Sequence, residues 1–94
     1  MDSLPEIMIA LRAARSLLGL SQEELADVAG VSRQIVVRIE KADGSVLVDA
    51  VTKVRVALET QGIIFLDGSR DHGPGVALSR KLTEESSAAL SVAT

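Results

Sequence analysis

The stretch SQEELADVAGVSRQIVVRIEK, residues 21–41, decides the fold, because it spells two short helices, each with its own opening signal, on either side of a glycine. Ser21 and Glu24 form an S-x-x-E pair in which the serine oxygen can accept from a first-turn amide while the glutamate reaches back to the serine amide. Leu25, Ala26 and Ala29 follow at helical spacing, so this helix carries a narrow apolar stripe and lasts roughly two turns. Gly30 ends it, since glycine enters the left-handed backbone region without a Cβ penalty. Ser32 then caps a second helix that starts at Arg33. Two helices joined this tightly must cross at a steep angle.

A short helix, a tight turn and a second helix make a helix-turn-helix unit, whose second helix is held proud of the domain to enter a DNA major groove. Advancing about 100° per residue from Arg33 puts Ile35, Val36 and Ile39 in one arc, the predicted buried face. Arg33, Gln34, Val37, Arg38 and Lys41 lie opposite. Arginine can grip guanine O6 and N7 with two hydrogen bonds and glutamine can do the same with adenine N6 and N7, so Arg33, Gln34 and Arg38 are the candidate base readers. Val37, apolar in the middle of that arc, is either an ordinary exposed valine or a contact for a thymine methyl.

Residues 9–62 resemble the lambda-repressor and Cro-type helix-turn-helix regulators, also called the xenobiotic-response-element family. The resemblance rests on Leu20, Gln22, Glu24, Leu25 and Ala26 (the LxQxELA signature), then Gly30, Val31, Ser32, and the pair Ile39–Glu40. It implies a mainly α fold, a four-helix DNA-binding domain. It also implies an ion pair between Arg15, late in the first helix, and Glu40, near the end of the recognition helix. Gln22, in the first turn of its helix, matches the family's phosphate-holding glutamine, and helix N-termini favour anions in any case. Ser32, Lys41, Ser45 and Lys53 are further candidate phosphate contacts, which position a protein on DNA without reading its sequence. The chain departs from the family at Ile35 and Val37, where threonine and a polar residue are common, and in a post-recognition loop lacking proline or extra basic residues.

Working outward, Pro5 suits a first helical turn, and Ile7, Leu11, Ala14 and Leu18 recur at three- and four-residue spacing. They predict a helix over about 5–18, stopped by Gly19, with Leu20 as its hydrophobic follower. Beyond a loop at Asp43–Gly44, Ser45 is expected to cap a fourth helix with Val51, Val54 and Leu58 on its core stripe and Gly62 at its end. Ile63 to Leu66 is too short and too β-prone to prolong that helix and reads as a strand. Val76 to Leu78 reads as a second, across the glycine-rich loop DGSRDHGPG.

The chain thus divides into a DNA-binding domain over 1–62, a β-hairpin over 63–82 and a flexible tail over 83–94. A lone hairpin exposing Ile63, Ile64, Phe65, Leu66, Val76 and Leu78 is marginal in water, so these residues are expected to form a dimer interface across a two-fold axis; the alternative is that the hairpin folds onto its own fourth helix.

Composition narrows the function. Ninety-four residues support one compact domain with appendages. Forty-seven per cent are hydrophobic and only Phe65 is aromatic, so aliphatic residues must fill the core. The net charge of −3 argues against a non-specific nucleic-acid coater and requires any positive charge to be local. There is no cysteine, which excludes disulfides and thiol chemistry and is neutral about compartment. No apolar run reaches the length of a membrane span or signal core, so a cytoplasmic protein is the default expectation. His72, the only histidine, stands beside Asp71 without partners for metal ligation or acid–base work. The expected protein is therefore not an enzyme and uses no cofactor or metal. It is a homodimeric, sequence-specific transcriptional regulator, most simply a repressor on an inverted-repeat operator in double-stranded DNA. The competing reading is an antitoxin-like or antiactivator protein that uses this fold as a scaffold and binds a protein partner through its C-terminal region.

Overall fold

The computed structural model describes residues 2–80, so the expected tail over 83–94 lies outside the described residues. Six elements follow in order: α1 (Leu4–Leu18), α2 (Gln22–Ala29), α3 (Arg33–Glu40), α4 (Val48–Thr60), β1 (Ile63–Leu66) and β2 (Gly75–Leu78). The fold is mainly α with a short antiparallel hairpin.

Sequence-encoded caps set most of the helix boundaries. Ser21 Oγ accepts from the Glu24 amide at 3.0 Å while Glu24 Oε1 accepts from the Ser21 amide at 2.9 Å. The same device opens α1, where Ser3 and Glu6 form a second capping box one residue earlier than the reading from Pro5. That S-x-x-E pattern was present in SLPE and could have been read. Ser32 Oγ accepts from the Ile35 amide and starts α3. Gly19 and Gly30 end α1 and α2 at φ 71° and 70°. Recognition helix α3 ends without a glycine: Ala42 takes φ 56°, its amide bonds to Ile39 O, and the Asp43 amide bonds to Arg38 O at 3.0 Å. This is the usual pair of terminal bonds closed around an alanine in the left-handed region, and Ala42 packs against the core.

Ser45 does not cap α4. Its amide and hydroxyl both donate to Asp43 Oδ1, at 2.9 and 2.7 Å, and α4 starts two residues later behind Leu47, which offers no side-chain cap. An Asx-type turn at Asp43 captured the serine first.

Met8, Leu11 and Ala14 of α1, Leu25 and Ala26 of α2, Val36 and Ile39 of α3, and Val51, Val54, Ala57 and Leu58 of α4 form the core. Val46 and Ile63 join them. Met8 is wholly buried although it was outside the stripe read along α1. Truncating any of the larger members would cost about 2 to 5 kcal/mol through lost transfer energy and cavity formation.

The hairpin packs on its own chain. Its register pairs Ile63 with Leu78, Ile64 with Ala77, Phe65 with Val76 and Leu66 with Gly75. Strand alternation turns Ile63, Phe65 and Val76 toward α1 and α4 and leaves Ile64 and Leu66 outside. Ile63 is 3% exposed, so it is a core residue of this chain and not an interface residue. Phe65 and Val76 are half-buried against the same core, and the Arg55 guanidinium sits 4.9 Å from the Phe65 ring centroid. Ile64, Leu66 and Leu78 remain exposed.

Candidate nucleic-acid interface

The recognition helix is held by one carboxylate. Glu40, on the last residue of α3, accepts from Arg15 Nε at 2.5 Å and Nη2 at 3.0 Å, and Arg15 Nη1 donates to the Leu20 carbonyl oxygen at 2.8 Å. The two side chains are 18% and 6% exposed. The hydrogen bond to Glu40 raises the Arg15 pKa, its attraction adding to the effect against the opposing cost of burial. Gln22 Nε2 also donates to Glu40 Oε1, at 3.1 Å. One carboxylate therefore gathers the end of α1, the start of α2 and the end of α3, and fixes how α3 is presented. The family resemblance pairs Arg15 with Glu40 but does not place Gln22 in the same cluster. Nothing in residue spacing signals that third arm.

The outer side of α3 carries Arg33, Gln34, Arg38 and Lys41, all exposed, while Val36 and Ile39 are buried. Ile35 is half-buried and packs on the core edge, which accounts for an apolar residue there. Val37 is half-buried and stands outside the core set. Arg33, Gln34 and Lys41 make no ion pair or side-chain hydrogen bond among the described residues and are available to a ligand.

Arg38 differs. Its Nε lies 3.4 Å from Asp43 Oδ2, in a pair that is 55% and 37% exposed. The two Ser45 hydrogen bonds, with Arg38 as a further cause, hold the Asp43 carboxyl below the usual aspartate range. An exposed pair of this kind is weak and exchanges readily for a phosphate or base edge.

Apart from Lys41, the expected phosphate contacts are likewise engaged within the chain. Ser32 caps α3, Ser45 is bonded to Asp43, and Lys53 Nζ lies 3.5 Å from Asp49 on the same helix. Gln22 keeps its carbonyl oxygen and one amide hydrogen beyond the bond to Glu40. Ser32 and Gln22 lie at the N-termini of α3 and α2, where first-turn amides attract anions. Lys53 stands on α4, separate from the other contacts in sequence.

His72 is exposed in the loop between the strands with Nδ1 2.7 Å from the Gly73 carbonyl oxygen. Among the described residues no group of three or more His, Cys, Asp or Glu is placed to hold a metal ion, and no helix is long and apolar enough to cross a membrane.

A family model described as Helix-turn-helix matches residues 11–61, which takes in the C-terminal half of α1 and all of α2, α3 and α4. No curated protein matches the chain. The match spans more than half of the sequence and coincides with the helices that the Arg15–Glu40–Gln22 cluster ties together. The chain belongs to the Cro/CI-type helix-turn-helix family of DNA-binding transcriptional regulators.

Proposed function

We propose that this regulator is a cytoplasmic repressor that binds an inverted-repeat operator as a homodimer, with α3 of each subunit in successive major grooves. The observation that carries the reading is the exposed, cationic outer side of α3, anchored at its far end by Glu40 in an otherwise acidic protein. In this reading Arg33, Gln34 and Arg38 take base edges, Arg38 by leaving Asp43, and Val37 packs on a thymine methyl. Gln22, Ser32, Lys41, Ser45 and Lys53 approach phosphates and set the register of the helix. About three base readers cannot specify a unique genomic site, so two copies are required, with half-sites roughly 10 bp apart or a multiple of that. Residues 1–62 then act as the DNA-binding domain and the hairpin as the dimerisation element. Duplex binding measured at two salt concentrations, with a selected operator and a scrambled duplex, tests this. A specific reader prefers the operator at both, while a purely electrostatic binder loses all preference and most affinity together as salt rises.

A second reading, an antitoxin-like or antiactivator scaffold that binds a protein partner through its C-terminal region, draws on the exposed Ile64, Leu66 and Leu78 of the hairpin. In that reading no duplex is preferred, and the same binding experiment separates the two.

A further inference from the structure

β2 has an open edge whose chemistry is complementary to itself. The Ser79 amide donates to the Gly62 carbonyl oxygen at 2.7 Å, so residues 62 and 79 form a hydrogen-bonded pair, and the alternation of an antiparallel ladder makes 64 with 77 and 66 with 75 the next such pairs. Val76 and Leu78 therefore turn their backbone N–H and C=O groups away from β1. Among the described residues no backbone bond joins those groups to another element. The edge carries no charge from Gly75 to Leu78 and no proline or bulge within it, so its shortness, four residues, is the one protective device the strand itself has against pairing.

A second unmet surface runs beside it. Ile9, Ala13 and Leu17 recur every four residues on the outer side of α1, with Ile9 59% and Leu17 45% exposed. Ile9, Ala10 and Ala13 line one side of a mainly apolar groove whose other side is Pro74 and Val76, at the start of the open edge. Backbone groups needing partners and an apolar helix stripe thus border one another. The structure lacks any element of this chain, among those described, that satisfies either.

We infer that the occupant is β2 of a second copy, paired antiparallel about a two-fold axis through Ala77. Placing Ala77 opposite its own equivalent sets Val76 against Leu78 of the partner subunit and the reverse, which are the residues with outward backbone groups, and yields four hydrogen bonds in register. The result is a four-stranded sheet with the two β1 strands at its rims. Ala77 then occupies a non-hydrogen-bonded pair, where Cα atoms approach most closely and the two alanine side chains lie side by side on one face. The α1 stripes of the two subunits are brought toward one another beneath the joined strands. This rests on the homodimer proposed above and replaces a face-to-face contact through Ile64 and Leu66 with an edge-to-edge one.

Because the chain has no cysteine, a single introduced thiol reports the geometry. In a non-hydrogen-bonded antiparallel pair the Cα atoms are about 4.5 Å apart, within disulfide reach, so Ala77→Cys should oxidise to a covalent dimer while Ile64→Cys and Leu66→Cys do not. Leu78→Pro removes an outward amide that β1 does not use, and should weaken the dimer by at least about tenfold in sedimentation equilibrium; Leu78→Val, which keeps the amide, should change it far less. Circular dichroism verifies that each variant retains its helices. A wild-type dimer that crosslinks through residue 64 or 66, or through none of the three while Leu78→Pro remains dimeric, overturns the edge pairing and leaves the homodimer standing. A wild-type chain that is monomeric both free and on operator DNA overturns both.

Discussion

Gln22 and Arg15 converge on a single oxygen: Glu40 Oε1 accepts from Gln22 Nε2 at 3.1 Å and from Arg15 Nη2 at 3.0 Å. The pose of α3 is therefore set by a hydrogen-bonded cluster that joins three helices, and Gln22, proposed above to approach a phosphate, is part of it. A side chain expected to meet DNA is already aligned by the residue that anchors the reading helix.

The first prediction follows from that arrangement. Glu40 without Arg15 is a nearly buried carboxylate left with one neutral donor, so Arg15→Leu should cost about 2 to 3 kcal/mol, somewhat below a fully enclosed pair because Arg15 keeps some solvent contact. The double variant Arg15→Leu/Glu40→Leu should be more stable than Arg15→Leu alone. Urea unfolding of wild type, Arg15→Leu, Glu40→Leu and the double variant gives the coupling energy. A coupling of zero would mean that the cluster does not hold the helices together.

Stability should fall in acid through two exposed carboxylates. The Ser21 backbone and side-chain hydrogen bonds lower the Glu24 pKa, and the Ser45 hydrogen bonds lower that of Asp43. A folded-state pKa below the unfolded value contributes stability that is complete above the unfolded pKa, about 4, and lost as pH falls through the folded one. The thermal midpoint should thus be insensitive to these groups at neutral pH and decline below about pH 4. Ser21→Ala and Ser45→Ala should each flatten the acid limb. An unchanged limb in both variants would assign the acid sensitivity to other groups.

Val37 supplies a test of base contact that involves no hydrogen bond. It is half-buried on the outer arc of α3, and replacing operator thymines one at a time by uracil removes only a methyl group. At one position per half-site the change should weaken wild type by about fourfold, the equivalent of about 0.8 kcal/mol, and leave Val37→Ala nearly unaffected. Equal losses in both proteins at every position would exclude thymine reading by Val37.

The helices and the hairpin were legible in the sequence because their signals are local. Ser21 with Glu24, Ser32, Gly19 and Gly30 act within a turn or two, and strand character at Ile63–Leu66 follows from four consecutive β-prone residues. Competition between local signals was harder to read. Ser45 resembles a cap by residue type, but Asp43 lies two residues away and takes its donors first. The role of Ile63 was not legible either, since strand periodicity gives two faces without saying which one α1 and α4 cover. The pairs Arg38–Asp43 and Gln22–Glu40 depend on side-chain reach across a folded turn or between helices, and no sequence spacing encodes them.

In the proposed reading α3 meets base edges with its exposed outer side. The most direct measurement is the affinity of wild type, Arg33→Ala, Gln34→Ala and Gln22→Ala for an operator selected from a random duplex pool and for a scrambled duplex, at one fixed salt concentration. Arg33→Ala and Gln34→Ala should each lose about 1 to 3 kcal/mol of preference for the operator while binding scrambled DNA nearly as wild type does, and Gln22→Ala should weaken both duplexes by similar factors. Equal losses on operator and scrambled DNA for Arg33→Ala and Gln34→Ala, or no sequence enriched from the pool by wild type, would contradict the account.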